Sequence, residues 1–127
     1  MVSFEAFRAV DGTPVYLQII NFIKRGAIAG TIQDGDELPS RRVLSALLGI
    51  NPNTVQKAFH ILEEEHLMES RTGAKSCMTL PPDILDALRR EVLSDELCTM
   101  ARTLRQLGIS KKEALRLIEQ AWEEEAQ

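Results

Sequence analysis

Residues 38–59 read LPSRRVLSALLGINPNTVQKAF, and this stretch predicts two short helices joined by a tight turn. Ser40 is suited to cap the first helix, and Gly49 ends it. Asn51 followed by Pro52 is a second start signal, because Asn caps helices and Pro fits the first helical position. Two short helices separated by a tight turn containing Gly are typical of a helix-turn-helix.

Apolar residues recur at helical spacing through both of these helices. The predicted buried face of the first helix consists of Val43, Leu44, Leu47 and Leu48. The predicted buried face of the second helix consists of Val55, Phe59 and Leu62. The second helix is expected to end at about residue 64 or 65, and His66 follows where a left-handed residue, commonly Gly, often ends a helix.

A hairpin is predicted directly after the second helix. Residues 67–70 and 76–80 are the two strands, and residues 71–75 between them form the tip. Pro81 and Pro82 end the hairpin because neither residue can supply a backbone N–H to a strand ladder. A hairpin in this position makes the unit a winged helix-turn-helix.

Another helix precedes this unit. Thr13 is suited to cap it, Pro14 fits its first position, and Gly30 ends it. Its apolar stripe consists of Val15, Ile19, Ile23 and Ala27. A turn containing Gly35 then leads to the helix-turn-helix.

Two more helices are predicted after the prolines. A long helix covers about 83–107 and ends at Gly108, and Ser110 with Glu113 forms a capping box for the last helix. The fold class is therefore mainly α with a small β wing. A winged helix-turn-helix domain covers residues 1–80, and a two-helix C-terminal arm covers residues 81–127.

Length and composition exclude several classes of protein. A chain of 127 residues is too short for a barrel enzyme or a two-domain nucleotide-binding fold. No apolar run approaches the roughly 20 residues that span a bilayer, and the N-terminus lacks a signal pattern. Cys77 and Cys98 are expected to be reduced thiols in the cytoplasm. No catalytic, metal or cofactor motif is present, so we expect no enzyme activity, no metal and no cofactor.

The distribution of charge favours a nucleic-acid partner even though the formal net charge is −4. Residues 38–62 contain the bases Arg41, Arg42 and Lys57 and no acid, although Asp and Glu number 19 in the chain. Residues 70–80 add Arg71 and Lys75, again without an acid. A local positive surface on an acidic protein matters more for phosphate contact than the total charge does.

Three motifs carry a resemblance to a known family. They are PVYLQI at residues 14–19, LPSRR at residues 38–42 and NPNTVQKA at residues 51–58. Together they resemble the GntR family of bacterial transcription regulators over roughly residues 12–80. The NPNTV form and the tail of about 45 residues are similar to the YtrA subfamily. That resemblance implies a DNA-binding repressor with a two-helix dimerisation arm in place of a large ligand-binding domain.

The resemblance also implies roles for particular residues. The family's phosphate- and base-contacting arginine in the Leu-Pro-Ser-x-Arg element corresponds to Arg42, so we favour Arg42 over Arg41 as the deeper contact. A basic position typical of other subfamilies corresponds to Gln56. The family's wing has two glycines; Gly73 matches the first, and Lys75 replaces the second. Lys75 is then available for a minor-groove or phosphate contact.

The chemistry of the side chains also supports DNA contact by these residues. Short polar side chains and amides near the start of a recognition helix can reach base edges, and a helix start with arginines attracts phosphate. Ser40 and Asn51 have the alternative role of capping alone. The residues predicted to contact DNA are Ser40, Arg41, Arg42, Asn51, Asn53, Thr54, Gln56, Lys57, Arg71, Thr72, Gly73 and Lys75.

The arm is predicted to hold two copies of the chain together, because its apolar stripes would otherwise stay exposed. The predicted dimerisation residues are Leu93, Leu97, Met100, Leu104, Leu107, Leu115, Ile118 and Trp122. The partners are double-stranded operator DNA and a second copy, with no membrane. Two alternatives stay open: an effector-responsive regulator with a small-molecule site between arm and DNA-binding domain, and a winged-helix protein-assembly module without DNA binding.

Overall fold

The computed structural model describes residues 1–70 and 75–126. The elements in chain order are the helices and strands α1 (Val15–Ala29), α2 (Arg41–Leu48), α3 (Pro52–Glu64), β1 (Met68–Glu69), β2 (Cys77–Met78), α4 (Pro82–Gln106) and α5 (Lys111–Glu125). This order confirms the predicted fold class of a mainly helical protein with a small β wing. No helix within the described ranges is long and apolar enough to cross a membrane.

The chain divides into two compact units, Met1–Arg89 and Arg90–Gln127. The division falls inside α4, just after Leu88, which is the buried residue of that helix. In the first unit, α1 and α2 both pack on α3, and α3 contacts β1. The core of this unit therefore lies around α3, whose buried side chains are Val55, Ala58, Phe59 and Leu62.

Local signals in the sequence determine most helix ends. Ser40 Oγ accepts a hydrogen bond from Val43 N at 3.1 Å, and Asn51 Oδ1 accepts one from Asn53 N at 2.8 Å. Both predicted caps are thus confirmed. His66 has a φ of 63°, as expected for a non-glycine residue in the left-handed position after α3.

The predicted cap of α1 is wrong. No side chain caps this helix, which begins at Val15 with Pro14 in the capping position. Pro14 O instead accepts hydrogen bonds from Leu17 N at 3.1 Å and Gln18 N at 3.3 Å. The Gln18 amide reaches back to Val10 and to the carbonyl of Thr13, so a side chain inside the helix holds the preceding loop.

The predicted buried face of α2 is only partly correct. Leu44 is fully buried, but Val43 is 50% exposed and Leu47 is 69% exposed. An eight-residue helix makes about two turns, so more than one of its faces can be similarly apolar in sequence. Packing against the other helices then decides which of these faces is buried. Val43 and Leu47 line a groove of about 610 Å³ between α2 and the N-terminal segment.

The wing is an antiparallel hairpin in which Met68 pairs with Met78 and Glu69 pairs with Cys77. The segment 35–38 lies along the other side of β2: Met78 N donates to Asp36 O at 2.8 Å, and Leu38 N donates to Ser76 O at 2.9 Å. The turn before α2 is therefore hydrogen-bonded to β2, which holds the start of α2 beside the strands of the wing.

The N-terminal segment is ordered by packing that the sequence pattern did not indicate. Phe4 and Phe7 are buried, and their rings lie 5.2 Å and 5.5 Å from the ring of Phe22 in α1. Val2 N donates to Glu37 O at 2.7 Å, which connects the segment to the turn before α2. These residues extend the core of the first unit beyond its helices.

Candidate nucleic-acid interface

The first turn of α2 presents two cations at a helix N-terminus. Arg41 and Arg42 are the first two residues of α2, and both are exposed. Within residues 1–70 and 75–126 the Arg42 guanidinium has no hydrogen-bond or ion-pair partner. The positive end of the helix dipole and an unpaired guanidinium together suit an anionic oxygen such as that of a phosphate.

The exposed face of α3 is polar and carries short side chains. Asn53, Gln56 and Lys57 lie three and four residues apart on one exposed face, opposite the residues that pack in the core. Thr54 is half-buried at the edge of this face. Side chains of this length at the start of a helix can reach the base edges of a major groove without pushing the backbone away.

Ser40 and Asn51 both use their side-chain oxygens as caps. Each residue has a structural role that accounts for its presence at that position. The Ser40 hydroxyl hydrogen and the Asn51 amide hydrogens are not needed for the caps. Contact between these two residues and DNA stays a prediction.

Two side-chain contacts across the helices were not foreseen from the sequence. Arg41 Nη1 donates to Gln56 Oε1 at 3.2 Å, which connects α2 to α3. The Lys57 ammonium lies 4.0 Å from the ring centroid of Tyr16, which is a cation–π contact between α3 and α1. Tyr16 therefore joins this surface although it lies far from it in sequence, and no local pattern could have identified it.

Acidic groups lie at the opposite end of α3, and each has a partner. Glu65 forms an ion pair with Lys24 at 2.8 Å, and Glu64 contacts His60 Nε2 at 2.7 Å. Glu63 accepts a hydrogen bond from Ser70. Among the described residues no group of three His, Cys, Asp or Glu side chains is placed to hold a metal ion.

The tip of the wing is described only in part. Lys75 is exposed at the start of the returning strand segment. The predicted contacts of Arg71, Thr72 and Gly73 lie outside the described residues. Lys75 is therefore the predicted wing contact that lies within the described residues, and its contact with DNA stays a prediction.

A second candidate surface lies on the arm, residues 90–126, considered by itself. None of its described residues is buried, and Trp122 and Leu97 are 77% and 61% exposed. The other exposed members of the predicted apolar seam are Leu93, Met100, Leu107, Leu115 and Ile118. Leu104 is half-buried and lines two apolar grooves of about 700 and 530 Å³ between α4 and α5.

Known proteins share sequence with this chain over the helix-turn-helix and beyond it. The sequence model of "Bacterial regulatory proteins, gntR family" matches residues 15–75. The chain is 44% identical over 63 residues to the HTH-type transcriptional repressor YtrA of Bacillus subtilis (strain 168), and this match covers 50% of the chain and 48% of YtrA. It is 29% identical over 102 residues to the HTH-type transcriptional regulator YhcF of the same strain, covering 80% of the chain and 84% of YhcF.

A solved structure shares both the fold and nearly the full length of the chain. This structure is a GntR family transcriptional regulator from Listeria monocytogenes, with a TM-score of 0.82 and 27% sequence identity. The match covers 88% of this chain and 98% of that one. The chain thus spans about half the length of YtrA and most of the length of YhcF and of the Listeria protein.

Proposed function

The chain belongs to the GntR family of bacterial regulatory proteins, and we propose that it represses transcription by binding an inverted-repeat operator as a homodimer. It is a DNA-binding regulator and not an enzyme. Repression is named for YtrA, of which the match covers 48%, so for this chain it belongs to the proposal. An operator-binding protein acts where the chromosome is, so the proposal includes a location in the cytoplasm.

The observation that carries the proposal is the exposed, acid-free face formed by the start of α2 and the start of α3. Arg41, Arg42 and Lys57 lie on this face, and residues 38–62 contain no Asp or Glu. A protein with 19 acidic residues that has none over this span presents locally positive elements there, which suit a polyanion. A protein-assembly module has no comparable reason to exclude acids there.

On DNA, α3 acts as the recognition helix in the major groove. Asn53, Gln56 and Lys57 then face base edges, and Thr54 lies beside them. Arg42 at the start of α2 contacts a backbone phosphate and holds the register of the helix on the duplex. Lys75 on the wing adds a contact to the neighbouring minor groove or backbone.

The arm supplies the second half of the proposal. Its exposed apolar side chains are the kind of surface that a second copy covers, since a lone helix pair leaves such a patch in water. A symmetric dimer presents two recognition helices spaced by about one turn of DNA or a multiple of it. An operator with two-fold symmetry follows from that geometry.

Selection from a random pool of double-stranded DNA with the purified protein tests the proposal. We expect the enriched sequences to contain an inverted repeat, and we expect the protein to be retained on heparin and released by moderate salt. Sedimentation of the protein–DNA complex then gives the number of copies bound. Enrichment of single, unrepeated sites by a monomer would contradict the proposed dimer, and no enrichment at all would contradict operator binding.

Asn53→Ala should relax sequence choice while leaving non-specific binding intact. The Asn53 side chain is exposed on the recognition face, where an amide can pair with adenine, and losing such a contact costs about 1–3 kcal/mol on the preferred site. Affinities for the selected operator and for scrambled DNA are to be compared in the same buffer. An equal loss on both DNAs would show that Asn53 positions the protein and does not read a base.

A further inference from the structure

One side-chain hydrogen bond joins the two helices of the helix-turn-helix on their exposed face. Arg41 Nη1, in the first turn of α2, donates to Gln56 Oε1 of α3 at 3.2 Å. Both side chains are exposed, and they lie within the acid-free span. The contact brings together residues fifteen apart in sequence, and neither is needed for the caps or the core of the domain.

The contact determines what the Gln56 amide offers to a ligand. An arginine side chain has only donors, so only the amide oxygen of Gln56 can face it. The Nε2 hydrogens of Gln56 are consequently directed away from Arg41. A free glutamine presents a donor group and an acceptor and is suited to adenine. In Gln56 one of the two lone pairs of the amide oxygen is engaged by Arg41, so the amide hydrogens are its more available groups.

Arg41 contributes further donors beside that amide. A guanidinium has five N–H groups, and the hydrogen bond to Gln56 uses one nitrogen, Nη1. The pair therefore presents adjacent donors from two side chains and, apart from the engaged Gln56 oxygen, no acceptor. The unpaired guanidinium of Arg42 is the one left to contact a phosphate.

Base edges in the major groove differ in how they meet such a surface. Guanine presents two adjacent acceptors, N7 and O6, whereas adenine presents an acceptor next to a donor. Thymine presents one acceptor and cytosine a donor. We propose that Arg41 and Gln56 act as one unit that reads a guanine in each half-site, an inference that rests on the proposed function.

The test uses the full chain and the DNA that it selects from a random pool. We expect the wild type to prefer a guanine at one position of each half-site. Arg41→Ala and Gln56→Ala should both lose the preference at that position and keep the wild-type preferences at all others. Both side chains are exposed, so the variants are expected to fold, and thermal unfolding checks this. Gln120→Ala, which removes an exposed glutamine of the arm, is the matched control and should select the wild-type sequence.

Base analogues at that guanine sharpen the test. Replacement by 7-deazaguanine removes the N7 acceptor and should weaken wild-type binding about 10-fold. The same replacement should reduce the affinity of Arg41→Ala and Gln56→Ala much less. Inosine keeps N7 and O6 in the major groove and should bind almost as guanine does.

The outcomes separate this inference from the proposed function. Two outcomes would overturn the guanine-reading pair while leaving operator binding in place. In the first, the position at which Gln56→Ala loses its preference is an adenine. In the second, both variants select the same site as the wild type. Wild-type binding that 7-deazaguanine leaves unchanged would overturn the pair in the same way. Failure of the wild-type protein to enrich any sequence would overturn operator binding itself and the pair with it.

Discussion

Leu104→Arg is expected to produce a monomer that no longer binds an inverted-repeat operator, while residues 1–89 stay folded. Leu104 is half-buried in α4 and lines both apolar grooves of the arm, so it lies in the middle of the proposed seam. An arginine there puts a charge among the apolar side chains of the seam, and burying that charge in a dimer costs several kcal/mol. Separating the copies also separates the two recognition helices.

Sedimentation at micromolar concentration measures the oligomeric state, and binding to full and half operators measures the consequence for DNA. Thr99→Arg is the matched control, because it adds the same charge to an exposed position of α4 outside the predicted seam. The control should remain dimeric and bind as the wild type does. A wild-type protein that sediments as a monomer at this concentration and still binds a full operator tightly would refute the proposed role of the arm.

Arg42→Ala is expected to weaken binding to operator and to unrelated DNA alike. A charge-assisted hydrogen bond of this kind contributes about 1.5–3 kcal/mol, and a dimer makes the contact twice. Each lost phosphate contact should also reduce the salt slope of log affinity by about 1. Both effects follow from a guanidinium that is exposed, unpaired among the described residues and placed at a helix start.

The measurement is a titration of both DNAs at several salt concentrations. Arg102→Ala removes the same charge from an exposed position on the arm and serves as the control. The control should leave affinity and slope almost unchanged. If Arg42→Ala behaves like the control, Arg42 makes no phosphate contact, and the anion-binding role of the α2 start is wrong.

The candidate interface combines features that a single helix defines with features that need two helices. The residues predicted to reach base edges from the start of α3 were Asn53, Thr54, Gln56 and Lys57. Because α3 is a regular helix, three of them, Asn53, Gln56 and Lys57, lie on one exposed face opposite its buried side. The Arg41–Gln56 hydrogen bond and the Lys57–Tyr16 contact were not predicted. Each depends on how two helices cross, and that crossing is absent from the pattern of either helix.

The sequence by itself determined the element order and most helix ends. Capping by Ser40 and Asn51, and the left-handed turn at His66, involve atoms within a few residues of one another, so short-range chemistry decides them. The periodicity of the apolar residues likewise identified the core of α3, since a longer helix has one face that is clearly more apolar than the rest.

Tertiary structure alone decided the remaining features. Packing on α3 left Val43 and Leu47 exposed in a helix too short to define its own buried face, and it gathered Phe4 and Phe7 around Phe22. These outcomes arise from contacts between segments distant in sequence, whose free energy depends on which surfaces meet and not on local propensity. The hydrogen bond between Arg41 and Gln56 also joins two helices, so the sequence alone could not predict it.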